Sequence, residues 1–224
     1  MFDRVITLIG EQNFKKIQER TILIVGLGGV GGYATESLVR SGIKNVIIID
    51  HDKIDLTNLN RQIISNSNNI GNDKVEEFRK RILEINPECN VITHQQFLDR
   101  NNYNLLDNYK IDYIVDCCDS VDTKKMLIDY SINKNIKLIS SMGTANKLNL
   151  TKLEIIDIRK TSYDPLAKIL RKYVNDLKTN KKIMVISSTE EPIKKQELSS
   201  LIFVPAAAGL LCGQYIIKDI IESE

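Results

Sequence analysis

With 224 residues, 42% of them hydrophobic and 27% charged, the chain can bury one good-sized core but is cramped for two full domains. A net charge of +2 excludes a polycation that coats nucleic acid over its whole surface, so any basic footprint must be local. Neither figure fits a disordered chain.

The opening MFDRVITLIGEQNFKK lacks the basic leader, apolar run and small-residue site of a secretory signal. Thr21 to Val25 reads as a short β-branched strand entering a glycine-rich turn. A helix over about 32–41 should follow, with Gly42 just beyond its end, then a second buried strand over Val46 to Ile49. Strand, glycine turn, helix, strand is the opening of a parallel sheet. Val75, Phe78, Ile82 and Ile85 line one face of a helix over about 73–85 that Pro87 closes. Strands at 91–93, 111–116 and 137–141 alternate with helical segments at 102–108 and 122–134. The alternation predicts an α/β fold, a doubly wound, Rossmann-like and mostly parallel sheet.

The tail reads as strands over 153–158 and 183–187 flanking a helix that Asp164-Pro165 begins, with Leu166, Ile169, Leu170, Tyr173, Val174 and Leu177 as its apolar stripe. A final helix follows Pro205. The apolar run from Leu201 to Ile217 is broken by Pro205, Gly209, Gly213 and Gln214, so a buried helix is expected rather than a membrane span or a membrane-associated segment. We treat residues 1–224 as one domain, with 147–224 as its C-terminal strand-helix extension. Cys89, Cys117, Cys118 and Cys212 form no Cys-x-x-Cys pair, which argues against zinc and disulfides and for a reducing, cytoplasmic setting.

Gly26-Leu27-Gly28-Gly29-Val30-Gly31 satisfies the G-x-G-x-x-G pattern in the strand–turn–helix setting that lets backbone approach a phosphate. Asp50 ends the next strand, where a carboxylate can take ribose hydroxyls. These residues specify a nucleotide, and an NAD dehydrogenase would open the same way. The following residues lean towards ATP. Asp52, Asn58 and Arg61 lie just past the second strand and Lys74 begins a helix, and a triphosphate needs amide and cationic donors on its outer phosphates. Asp119, after Asp116-Cys117-Cys118, follows the carboxyl end of a buried strand, where it could hold Mg²⁺ or merely cap a helix.

In order and spacing, Gly26 to Gly31, Asp50, Asn58-x-x-Arg61-Gln62, Lys74 and Asp116-x-x-Asp119 resemble the ThiF/MoeB/HesA family, the bacterial relatives of ubiquitin-activating enzymes. The resemblance implies an adenylating enzyme. Gly26, Gly28, Gly29 and Gly31 would cradle phosphates, Asp50 would bind ribose, and Asn58, Arg61 and Lys74 would hold the triphosphate. Asp119 would carry Mg²⁺. Arg4 matches an arginine that such enzymes reach across a homodimer into the partner's ATP site.

Downstream, the stretches 140–147 and 157–168, Glu190-Glu191-Pro192-Ile193 and Phe203-Val204-Pro205 resemble the threonylcarbamoyladenosine dehydratase branch of that family. The segment between Pro192 and Phe203 is short for the branch, which implies a trimmed loop. This likeness implies ATP-dependent cyclisation of threonylcarbamoyladenosine in tRNA through adenylation of the threonyl carboxylate, with a homodimer as the working unit. Residues 147–195 carry twelve Lys/Arg against six Asp/Glu, so Lys160, Lys168, Arg171 and Lys172 are candidates for tRNA phosphates. Three alternatives stay open: adenylation of a ubiquitin-like or sulfur-carrier C-terminus, a sulfur-transfer partner of a cysteine desulfurase, and an NAD oxidoreductase.

Overall fold

A computed structural model describes residues 1–223; Glu224, the last residue of the predicted domain, lies outside them. Two helices precede the first strand, α1 (Asp3–Ile9) and α2 (Glu11–Gln18), then come β1 (Thr21–Val25), α3 (Gly31–Arg40), β2 (Asn45–Ile49) and α4 (Lys74–Ile85). Next are β3 (Asn90–His94), β4 (Tyr113–Asp116), α5 (Val121–Lys134) and β5 (Lys137–Ser141). The tail supplies β6 (Leu153–Asp157), α6 (Pro165–Asp176), β7 (Met184–Ser188) and α7 (Phe203–Glu222).

The strands form one sheet in the order β3-β2-β1-β4-β5-β7-β6. Every adjacent pair is parallel except β7 with β6, which is antiparallel at the edge. This is the predicted α/β, doubly wound, Rossmann-like and mostly parallel sheet, with the tail strands continuing it. Near-continuous apolar strands such as Thr-Ile-Leu-Ile-Val need cover on both faces. The alternation of β1 and β2 delivers it: Ile22, Ile24, Val46 and Ile48 belong to the core on the α3 and α7 side of the sheet, whereas Leu23, Val25, Ile47 and Ile49 belong to the core on the α5 and α6 side.

Helix α7 is long and apolar enough to cross a membrane by length and composition, and in this fold it lies against α3. A Cβ on Gly209 would stand 2.2 Å from the Val30 carbonyl oxygen, so the two backbones touch where only hydrogen fits.

The helical segment expected at 102–108 is present as a 3₁₀ helix over Tyr103–Asn108. The first eighteen residues carry two helices that no strong periodicity announced. In α6 the buried face is Ala167, Leu170 and Val174, while Ile169 (47% exposed) and Leu177 face solvent. Positions 167, 170, 171 and 174 follow the i, i+3, i+4, i+7 rule, so the buried stripe runs through Arg171 and leaves Ile169 off it.

Candidate nucleotide site

Strand order reverses at β1, with β2 on one side and β4 on the other; ligands of open α/β sheets bind beyond the carboxyl ends of the strands at such a point. A cavity of about 300 Å³ opens there. The β1–α3 turn, the segments after β2, β3 and β4, Thr144 after β5, and Ser200 and Pro205 from the tail line it.

The turn is shaped by a single close approach. A Cβ on Gly31 would stand 1.8 Å from the Gly26 carbonyl oxygen, so α3 can start against the turn only with glycine there. The start of α3, with the positive end of the helix dipole, therefore stands directly behind the cavity-lining residues Gly28, Gly29 and Val30, and its Gly32 N–H donates to Gly28 O at 3.0 Å.

Asp50 is buried at the end of β2. Its Oδ2 accepts the Leu27 N–H at 2.6 Å and its Oδ1 accepts the Asp52 N–H at 2.8 Å, which ties the glycine turn to the second strand. Each oxygen keeps a further lone pair for a hydroxyl donor. Asn58 ends the 3₁₀ turn Leu56–Asn58; its Oδ1 accepts the Asp55 N–H at 3.0 Å in a reciprocal capping box, leaving Nδ2 as its donor. Lys74, expected at the triphosphate, is buried. Its backbone N–H donates to Asp52 O at 3.1 Å and its Nζ to Asp52 Oδ2 at 2.7 Å. Arg61 is held by neutral acceptors, its Nη1 donating to Thr57 O at 2.8 Å and to Asn60 Oδ1 at 2.9 Å. Among the described residues it has no carboxylate partner.

Asp119 is exposed on the cavity wall, with no hydrogen-bond or ion-pair partner among the described residues. Helix capping does not explain it, because Ser120 caps α5 by accepting the Thr123 N–H at 3.3 Å. The oxygens and ring nitrogen of Asp50, His51 and Asp52 lie within 4.8 Å of one another. Asp50 is occupied by backbone and Asp52 by Lys74, so Asp119 is the open carboxylate.

The cysteines at the cavity floor are poor nucleophiles. The Cys117 thiol is pushed up by its hydrogen bond with Cys212 and then by burial, and the Cys118 thiol by burial and then by the Asp116 charge. The Asp116 side chain is fully buried and accepts from Lys124 Nζ at 3.1 Å and Ser140 Oγ at 2.6 Å, so the first acid of the Asp-x-x-Asp pair faces the core.

Residues 2–222 match the ThiF family. The chain belongs to the ThiF family. It is 35% identical over 240 residues to the tRNA threonylcarbamoyladenosine dehydratase of Bacillus subtilis (strain 168), covering 99% of this chain and 94% of that one. Against the enzyme of the same description from Escherichia coli (strain K12), identity is 36% over 170 residues, 76% of this chain and 63% of that one. Among solved structures, E. coli tRNA N6-threonylcarbamoyladenosine dehydratase, TcdA, in complex with ATP superposes with a TM-score of 0.93. Sequence identity there is 31%, over 98% of this chain and 93% of that one.

Within this ThiF fold, Gly26, Gly28, Gly29, Asp50, Asp52, Asn58, Arg61, Lys74 and Asp119 share one cavity, and Gly31 stands directly behind its turn. Arg4 does not join them in its own chain; it lines a separate groove with Arg40, Arg81 and Glu84. Lys160, Lys168 and Lys172 are exposed. Arg171 differs. It lies on the inward stripe of α6, where Nη1 donates to the Thr161 carbonyl and, at 3.1 Å, to Thr161 Oγ1. Its role is to hold the chain before α6. The sequence reading missed Gln96, Phe97 and Leu98, as well as Thr144 and Ser200, all cavity-lining. The first three follow β3 directly, and their place after a parallel strand was the available signal.

Proposed function

We propose that the protein is an ATP-dependent tRNA threonylcarbamoyladenosine dehydratase. The observation that carries this reading is the gathering of Asp50, Asn58, Arg61, Lys74 and Asp119 around one glycine turn. The chain around it is similar nearly end to end to enzymes of that description.

In this reading the threonyl carboxylate attacks the α-phosphorus of ATP. A P–O bond forms to the carboxylate and the bond to pyrophosphate breaks. A nitrogen already on the modification then attacks the activated carbonyl and AMP leaves, for a net loss of water from the nucleoside. Asp50 orients the ribose, and the N–H groups of the glycine turn and α3 meet the phosphates. Arg61 and Lys74 draw the negative charge that builds on the leaving pyrophosphate. Ring closure is intramolecular and needs orientation rather than a protein nucleophile, which fits cysteines kept as thiols. Asp119 offers one unpaired carboxylate, the donor set that Mg²⁺ takes when it is shared with phosphates and water. Bound there, the ion would neutralise phosphate charge.

Incubation with ATP, Mg²⁺ and tRNA carrying threonylcarbamoyladenosine, followed by nucleoside mass spectrometry, should show loss of one water from that nucleoside. An unchanged mass beside ATP turnover on a carrier-protein C-terminus would overturn the assignment in favour of carrier activation.

The same reading makes the unit a cytoplasmic homodimer with Arg4 acting in trans. Supporting it, α1 buries no residue of its own and leaves Leu8 84% exposed, while Phe203 and Leu210 are exposed on α7. Mixing Arg4→Ala chains with Asp119→Ala chains should then restore one intact site per mixed dimer. At random exchange that is about a quarter of wild-type activity. No recovery in mixed dimers confirmed by mass would remove Arg4 from the partner's site.

A further inference from the structure

The turn before α6 holds a residue that the nucleotide site does not use. Tyr163 has φ +57, a backbone conformation rarely adopted by a bulky side chain. It is the centre of a three-residue turn that the Asp164 N–H closes on Ser162 O at 2.7 Å, the positive-φ γ form that is rare and strained. Such strain persists where the surroundings fix it from both sides. Upstream, Arg171 Nη1 grips Thr161 through its carbonyl and hydroxyl. Downstream, buried Asp164 caps α6 by accepting the Ala167 N–H at 2.8 Å, and its Oδ2 accepts from Lys147 Nζ at 3.0 Å.

The downstream clamp also joins this turn to the nucleotide cavity. Lys147 Nζ donates to Gly143 O at 2.7 Å, and a Cβ on Gly143 would lie 2.9 Å from Asp164 Oδ2. Thr144, the next residue, lines the cavity. The result is an aromatic residue 63% exposed on a turn tied to the cavity wall through Asp164, Lys147 and Gly143, with no hydrogen bond and no aromatic partner for its ring among the described residues. Lys160 and Lys168 flank it, both exposed and without an ion-pair partner among the described residues.

Single-stranded RNA loops are recognised by stacking splayed bases on exposed aromatic rings, with cations on the adjoining phosphates. We propose that Tyr163 is the stacking platform for an unpaired base of the tRNA anticodon loop beside the modified adenosine, with Lys160 and Lys168 on its phosphates. This rests on the tRNA reading above. The clamped turn fixes the backbone that carries the ring before binding, so less order has to be gained when the RNA arrives.

The test uses the full chain and an anticodon stem-loop RNA carrying threonylcarbamoyladenosine. Tyr163→Ala should raise Kd and KM for the RNA about tenfold or more. Tyr163→Phe should stay near wild type, and ATP binding without RNA should be unchanged in both. Lys160→Ala should instead flatten the dependence of affinity on salt by about one ion, a slope that Tyr163→Ala leaves alone. Tyr163→Gly removes the strained φ, so a fold at least as stable as wild type combined with the same loss of RNA affinity separates stacking from folding. Wild-type affinity in Tyr163→Ala overturns the inference alone. Wild-type protein that neither binds nor converts the RNA overturns the tRNA reading and the inference with it.

Discussion

Replacing Arg61 with alanine is expected to lower ATP-dependent turnover about 100- to 1000-fold, the usual loss when a placed charge-stabilising donor is removed, while the unfolding transition stays essentially in place. Both halves follow from how the side chain is held. Its stem lies against the glycine turn, where a Cβ on Gly29 would be 3.4 Å from Arg61 Cγ. Its Nη1 is fixed by Thr57 and Asn60, and Asn60 in turn donates from Nδ2 to Ser200 O at 2.9 Å, linking the arginine to the tail segment across the cavity. Neutral acceptors position the guanidinium without cancelling its charge, whereas the charge of Lys74 is shared with Asp52. Arg61 is therefore the cation most available to a triphosphate, and losing it removes little that folding depends on. Arg61→Lys should recover only part of the rate, because an ammonium keeps the charge and loses the planar fork. Pyrophosphate release and nucleoside mass spectrometry read the effect; an Arg61→Ala protein with wild-type turnover would take this residue out of the chemistry.

Arg61 was legible in the sequence because its neighbours are local. The glycine turn, Asp50 and Asn58 lie on or just beyond consecutive elements whose type the strand and helix patterns already give, so their convergence follows from the parallel order of β1 and β2. Asp119 follows β4 in the same way. Thr144, three residues past β5, carried the same signal; Ser200 comes from a loop that reaches the cavity only through the long-range packing of the tail, and no local pattern marks it. Burial of a lysine leaves no such local mark: Lys74, Lys124 and Lys147 are each buried on a carboxylate from another segment of the chain. Arg171 reads as part of a basic patch because charge counting ignores helix phase; its spacing from Ala167, Leu170 and Val174 puts it on the inward stripe. Helix α1 buries nothing of its own, so it left no apolar period to detect.

Lys124 carries the largest expected effect on stability. Its ammonium is fully buried and donates to Asp116 Oδ2 at 3.1 Å, Ser140 Oγ at 3.2 Å and Ser141 O at 2.8 Å, so all three protons are used. Burial is the largest influence and works against the charge, but the Asp116 carboxylate, through its charge and hydrogen bond, together with the neighbouring Cys118 and Cys117, leaves the Lys124 pKa above its ordinary value. A raised folded-state pKa means that the pair's contribution is complete below the unfolded lysine value, roughly 10.4. It is lost only as pH climbs through the folded one. Lys124→Met should therefore destabilise the fold by about 3–5 kcal/mol at neutral pH, because it strands a buried carboxylate. The deficit should shrink only in strongly alkaline solution. Removing the acid as well, in Lys124→Met with Asp116→Leu, should return much of the loss, since a buried pair is worth far less than the penalty of breaking one side of it. The consequence reaches the site, because Asp116 Oδ1 also accepts the Cys118 N–H at 3.2 Å and so shapes the segment that presents Asp119. Urea unfolding of the single and double variants, with ATP affinity measured beside it, checks the argument. A single variant that loses less than about 1 kcal/mol would show that water or a proton reaches Asp116 and that the pair is not the anchor of this loop.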